Sequence, residues 1–437
     1  MHRRISASVI VLILFFVFTG CEIIMPREEE NPKPNPTESN DEKPGEVAEP
    51  ENQPKERDTL EQQVKLPEEK KDPIQEQIQQ MTLKEKVGQM VIVGMGGFSA
   101  DDEIRELIES YHVGGVILFK SKNVENANQL LALLNTLKTI NAPNKIPLFL
   151  STDEEGGRVS RMPDELEDLP RNKKVGRINN PAFSYGIGTL LAEQLLAFGF
   201  NMNFAPILDI NSNPNNPVIG DRSFGDDADI VSELGVQTMK GIQSKGVISV
   251  VKHFPGHGDT SVDSHVGLPR VNNGLDRLER LELVPFKKAI QSNADAVMVA
   301  HILLTKIDPE YPSSMSKVVI TDILRNKLEF NGVVLTDDMT MGAISENYET
   351  GEAAVRSINA GADIVLVCHG YSKEKAVLQA IVKAVADGTL SEGRINESVY
   401  RILSLKKKYG LSDKTIDEID IEAINEHIRN LLKQYMN

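Results

Sequence analysis

Eight short apolar runs punctuate the chain between Met90 and Cys368, with amphipathic stretches between them. They read MVIVGM (90–95), VGGVILF (113–119), IPLFLS (146–151), NMNFAPILDI (201–210), VISVVKHF (247–254), AVMVAHI (296–302), GVVLTDD (332–338) and ADIVLVC (362–368). Unbroken Val/Ile/Leu runs, rather than strict apolar–polar alternation, suit parallel strands buried on both faces. The intervening stretches, such as DDEIRELIESYH, NVENANQLLALLNTL, FSYGIGTLLAEQLLAFG, DIVSELGVQTMKGIQ, VVITDILRNKL and KEKAVLQAIVKAVAD, carry apolar residues at spacings of three and four, the pattern of helices covering a sheet. Gly246, Gly332 and Gly361 follow helical stretches and predict helix ends. Eight strand-then-helix units predict an α/β fold, a (β/α)8 TIM barrel forming a single catalytic domain. An open doubly wound sheet is the alternative, but the first run leads into GMGGF and not into a G-x-G-x-x-G turn.

The two ends of the chain follow other rules. MHRR and the apolar run VIVLILFFVF (Val9 to Phe18) make a signal peptide over residues 1–20, too short for a comfortable membrane span of about 20 residues. Phe18-Thr19-Gly20-Cys21 resembles a bacterial lipobox, so Cys21 is the expected lipidation site; an ordinary signal peptide is the competing reading. Two acyl chains on that cysteine would anchor the protein outside the cytoplasm on the bacterial cell membrane. Residues 21–73, rich in Pro, Glu, Lys and Asn, bury too little apolar surface to offset ordering entropy and predict a disordered N-terminal tether. The barrel domain is expected over 74–411, and a helical tail packed on its outside over 412–437. The second and last cysteine, Cys368, lies in an apolar run and predicts a buried thiol with no disulfide. A formal charge of −16 argues against nucleic acid as a partner.

In such barrels chemistry sits on the loops after the strand C-termini. Here those ends carry Asp153, Glu154 and Glu155 after the third run, Asp209 in the fourth, and Lys252, His253, His257, Asp259, Asp263 and His265 after the fifth. His301 ends the sixth, Asp337 and Asp338 the seventh, and His369 the eighth. The histidines and aspartates of KHFPGHGDTSVDSH are zinc-ligand types. The first strand end offers no ligand, however, and His301 and His369 stand singly, so neither metal nor another cofactor is expected.

The other reading starts from Asp337. A carboxylate at a barrel mouth among apolar strand residues suits attack on an anomeric carbon. Asp338 must face differently, but spacing alone leaves open which of the two points inward. A histidine backed by an aspartate, as in Asp263-Ser264-His265, could serve as the acid/base partner. The glycines and proline of FPGHGDT suggest a loop able to carry His265 over a bound sugar.

These motifs are specific when taken together. KHFPGHGDTSVDSH, GVVLTDDMTMGA, TDEEGGRVSR and NPVIGDRSFG, in that set, resemble glycoside hydrolase family 3 over about 80–411, in its bacterial β-N-acetylglucosaminidase branch. The resemblance implies a retaining exo-enzyme that trims terminal N-acetylglucosamine from peptidoglycan fragments, with Asp337 as nucleophile and Asp263–His265 as acid/base dyad. It implies that Asp153, Arg222, Lys252 and His253 hold the sugar. Arg158 and Arg161 fit either sugar binding or salt bridges to Glu154 or Glu155, and His257 and Asp259 either touch substrate or shape the loop. The alternatives are another family 3 β-glycosidase, an N-acetylglucosaminide phosphorylase, substrate-assisted attack by the acetamido group, or, from a different class, a non-catalytic sugar-binding lipoprotein.

Overall fold

The computed structural model describes residues 72–436. The signal peptide, Cys21 and residues 21–71 of the expected tether lie outside the described residues. The first described element is helix Pro73–Gln80, whose cap, Asp72, accepts the Ile74 N–H at 2.9 Å.

Eight parallel strands close into a barrel: β1 (Val91–Val93), β2 (Gly115–Ile117), β3 (Phe149–Thr152), β4 (Met202–Asn203), β5 (Ile248–Phe254), β6 (Ala296–Val299), β7 (Val333–Asp338) and β8 (Ile364–Val367). Each pairs with its neighbours in chain order, and closure comes from β1 against β8, with Ile92 opposite Leu366. All seven residues of β5 are buried, as are all those of β1, β2, β3, β6 and β8. This is why those runs are mostly apolar, with the polar exceptions Lys252 and His253 near the C-terminal end of β5: the barrel interior covers one face and the helices the other. Each fully buried Val, Leu, Ile or Phe side chain contributes roughly 1.5–3 kcal/mol before entropy is subtracted.

Local chemistry sets the helix ends. Thr82 and Glu85 form a reciprocal capping box, and Asn180 caps helix Pro181–Phe198, which has proline in its first turn. Gly361 closes helix Thr350–Ala360 at φ 118°, where a side chain would be strained. Gly332 does not close a helix; Glu329 takes the left-handed position after Val318–Lys327, and Gly332 instead lies where a Cβ would stand 2.4 Å from the Asp295 carbonyl. The ten-residue run NMNFAPILDI supplies only the two residues of β4 and one isolated bridge, Ile207 to Lys252. Pro206 interrupts the ladder because it has no N–H, although its carbonyl still accepts from the Lys252 N–H at 3.2 Å.

Helix Ile421–Met436 packs on helix Pro181–Phe198 through buried Ile424 and Ile428. Its Asn425 reaches the loop that follows β3, donating to the Glu165 carbonyl at 2.9 Å and accepting the Glu167 N–H at 2.8 Å. Among the described residues no helix is long and apolar enough to cross a membrane.

Candidate active site

The C-terminal ends of β3, β4, β5 and β7 and the loops beyond them surround a cavity of about 290 Å³ whose lining includes Asp153, Arg222, Lys252, His253, Asp263, His265 and Asp337. One wall is a chain of alternating charges. Lys252 Nζ sits 2.5 Å from Asp153 Oδ1 and 2.8 Å from Glu155 Oε1. Glu155 in turn accepts two hydrogen bonds from Arg222, Nε at 3.0 Å and Nη2 at 2.8 Å. Lys252 and Glu155 are almost wholly buried. Burial pushes the Glu155 carboxyl up, but Arg222 and Lys252 outweigh it and hold the group well below the usual range. For Lys252 burial acts downward, and the Asp153 and Glu155 carboxylates more than reverse it.

A second fixed group is His253. Asp209, fully buried, accepts from its Nδ1 at 2.7 Å and also from the His257 N–H at 2.6 Å. Burial pushes Asp209 up, while His253 draws it below its ordinary value. The imidazole is thus locked with its other nitrogen free for the cavity side.

Asp337 lies at the end of β7. Burial raises its carboxyl, but His253, His301 and the Asp338 N–H, 2.9 Å from Oδ1, more than compensate and bring it to about 2. It is therefore ionised at neutral pH, as a nucleophile must be. Asp338 also lines the cavity, but its oxygens are engaged: they accept from the Thr340 N–H and the Cys368 N–H, each at 2.9 Å, and from the Thr340 hydroxyl at 2.6 Å. His301 is buried; its Nε2 donates to the Asp338 carbonyl at 2.9 Å, and its Nδ1 lies 2.7 Å from Ser314 Oγ. The bond from Nε2 fixes the peptide that follows Asp338, one residue beyond Asp337.

Asp263 and His265 line the same cavity as Asp337. Asp263 Oδ1 accepts from His265 Nδ1 at 2.8 Å and from the His265 N–H at 2.9 Å. The side chains are 39% and 65% exposed, so this pair is the open side of the site. The arrangement offers an ionised carboxylate on one side and an aspartate-oriented imidazole on the other, which is the equipment for attack and proton transfer.

The profile described as glycosyl hydrolase family 3 N terminal domain matches residues 82–405. The chain belongs to glycosyl hydrolase family 3. It is similar to beta-hexosaminidase A of Pseudoalteromonas piscicida, 34% identical over 338 residues that cover 72% of this chain and 56% of that one. The chain thus spans little more than half the length of that relative. Against the beta-hexosaminidase of Tolumonas auensis it is 36% identical over 296 residues, covering 67% of this chain and 86% of the other. Among solved structures, the family 3 beta-N-acetylglucosaminidase from Paenibacillus sp. str. FPU-7 superposes with a TM-score of 0.77 at 42% identity, covering 81% of this chain and 69% of that one.

Within this family 3 barrel, the residues left open by the sequence find definite places. Arg158 pairs with Asp221 at 2.8 Å and with the Val218 carbonyl at 2.7 Å, not with Glu154 or Glu155. Arg161 lines the cavity; only its main-chain N–H meets Glu154, and its Nε is buried without a hydrogen-bond partner among the described residues. Asp259 accepts from Asn273 at 2.9 Å and shapes the loop. His369 stacks near Phe119 with ring centres 5.2 Å apart, and burial pushes the Cys368 thiol up beside it. Among the described residues no three of His, Cys, Asp and Glu converge as a metal cage. Sequence reasoning gave Glu155 only as a candidate salt-bridge partner of Arg158 or Arg161, and assigned no role to Asp209 or His301. The signal for Glu155 was its two-residue spacing from Asp153, which puts both carboxylates on one side of an extended segment.

Proposed function

We propose that the protein is a retaining, exo-acting β-N-acetylglucosaminidase that releases terminal N-acetylglucosamine from peptidoglycan fragments. One observation carries this reading: Asp337 and the Asp263–His265 pair line the same cavity, opposite a pre-formed wall of donors and acceptors suited to sugar hydroxyls. Asp337 attacks the anomeric carbon as the glycosidic C–O bond breaks, and His265 gives its proton to the departing oxygen. Water then loses a proton to His265 and displaces Asp337, restoring both groups. Asp153, Arg222, Lys252 and His253 hold the sugar during both steps. The carbohydrate named for the Paenibacillus and hexosaminidase relatives supports the choice of N-acetylglucosamine. Attack by the substrate's own acetamido group, polarised by Asp337 and Asp338, is the second reading; it is less well supported because Thr340 and Cys368 already engage Asp338.

Release of p-nitrophenol from its β-N-acetylglucosaminide tests the activity, and a fluorinated donor sugar tests the route. The expected result is a mass adduct on Asp337; turnover without such an adduct rejects it. Product analysis in phosphate buffer separates hydrolysis from phosphorolysis, which would yield a sugar 1-phosphate. Anchoring at the outer face of the cell membrane rests on Val9–Phe18 and Cys21. Radiolabelled palmitate should enter the wild-type protein and not Cys21→Ser; equal labelling removes the lipid proposal.

A further inference from the structure

The dyad presents a physical puzzle. Asp263 and His265 are its most exposed members, yet the residue between them, Ser264, is 2% exposed. Its hydroxyl lies 3.1 Å from Nε2 of His257, and Nδ1 of the same ring lies 2.8 Å from the Thr260 hydroxyl. Burial, aided by the charge of His253, lowers His257 to about 4, so the ring is neutral across the working range. A neutral imidazole has one donor and one acceptor, and two hydroxyls, each able to do either, match it in both tautomers. His257 is itself tied down, through its main-chain N–H, to Asp209.

The outer side of the same segment is also held. The Ala343 N–H donates to the Ser264 carbonyl at 3.1 Å and the Gly342 N–H to the His265 carbonyl at 3.2 Å. Gly342 opens the short helix Gly342–Ser345, four residues beyond Asp338 on the same loop. A Cβ at that position would stand 2.7 Å from the His265 carbonyl oxygen and 2.8 Å from that of Val266. The absence of a side chain there sets how closely the dyad loop approaches the loop that follows the Asp337 strand.

We propose that His257, Ser264 and Gly342 form a latch, three positioning residues that hold His265 at its working distance from Asp337. The inference rests on the reading of Asp337 as nucleophile and His265 as acid/base. None of the three moves a proton itself; they set the fraction of molecules in which His265 stands where the leaving oxygen will be. Loosening the latch lowers that fraction and taxes only the step that needs the proton.

The test is leaving-group dependence of kcat/KM, measured on a dinitrophenyl and on an alkyl or disaccharide N-acetylglucosaminide. The first aglycone departs without protonation and the second requires it, so a merely structural defect would lower both alike. Ser264→Ala, which leaves Nε2 of His257 unpaired, should lose on the order of tenfold more on the poor leaving group than on the activated one. Gly342→Ala should show the same split by displacing the His265 carbonyl, and it reads the latch independently if Ser264→Ala does not fold. Ser264→Thr, which keeps the hydroxyl, should recover most of the selective loss. His265→Ala is the reference: its split should be larger than either. If His265→Ala shows the split while Ser264→Ala and Gly342→Ala lose equally on both substrates, the latch is wrong and the dyad stands. If His265→Ala shows no split, the acid/base assignment falls and takes the latch with it.

Discussion

Burial raises the carboxyl of Glu154 to about 7, whereas Glu155, one residue on, is held far below its ordinary value by Arg222 and Lys252. Glu154 meets only Ser160 Oγ at 3.0 Å and the Arg161 N–H at 2.6 Å, and neither compensates for lost water. In the unfolded chain a glutamate titrates near about 4.3, so between about pH 4 and 7 the native state keeps a proton that the unfolded state has lost. Stability from this group therefore falls as pH rises through that window and is level above it. Glu154→Gln should be more stable than wild type at pH 8, by roughly 1–3 kcal/mol, and close to it at pH 4.5. Urea unfolding at the two pH values checks this; the same offset at both would refute the buried-proton account. Glu155→Gln should do the reverse. It leaves two buried cations short of a counter-charge, costing roughly 2–4 kcal/mol of stability, and kcat/KM should fall at least about tenfold because Arg222 and Lys252 lose their aim. Calorimetry and steady-state kinetics on the one variant read both effects. At this scale residue type and strand position drew attention to Asp337 or Asp338 and to the Asp263–His265 pair, while the choice of Asp337 came from the resemblance to family 3. The sequence was silent on the partners that tune them, since Asp209–His253 and His301–Asp338 join residues far apart in the chain.

Helices Pro181–Phe198 and Ala228–Ser244 approach so closely that their backbones touch. A Cβ on Gly241 would lie 2.3 Å from the Tyr185 carbonyl oxygen, and one on Gly188 2.2 Å from that of Thr238. On an isolated helix Gly241→Ala would gain about 1 kcal/mol from propensity. Here the methyl forces the helices apart, and overpacking typically costs about 1–3 kcal/mol or more. The expected result is a net loss of stability in thermal unfolding; a stabilised variant would mean that the helices do not meet there. Periodicity predicted both helices but carries no information on which glycine faces a neighbour. It likewise marked Val318–Lys327 as helical while giving no sign of its π-type winding, because spacings of three and four look alike in both. The fourth strand was overread for another reason: apolar content runs on through NMNFAPILDI, whereas the ladder breaks at Pro206, which lacks a donor, and resumes only as the single bridge at Ile207.

Across the whole molecule, barrel closure was legible because eight buried strands in strict alternation with helices leave few other arrangements. The brackets that join distant parts were not. Asn425, in the last helix, holds the loop after β3 through the Glu165 carbonyl and the Glu167 N–H, more than 250 residues earlier. Asn425→Ala would leave both main-chain groups short of a partner, costing about 1–3 kcal/mol. Because that loop begins at Asp153 and Glu155, KM should rise as well; a fall in melting temperature with KM unchanged would confine the bracket to a structural role.

The same bracket imposes an order in time. Synthesis runs from the N-terminus, so a nascent chain stalled before Asn425 already contains all eight strands, the proposed nucleophile and the dyad. Its β3 loop, which carries half of the charged wall, still lacks its outer support. The bracket on that side of the cavity can therefore form only after helix Ile421–Met436 has been made.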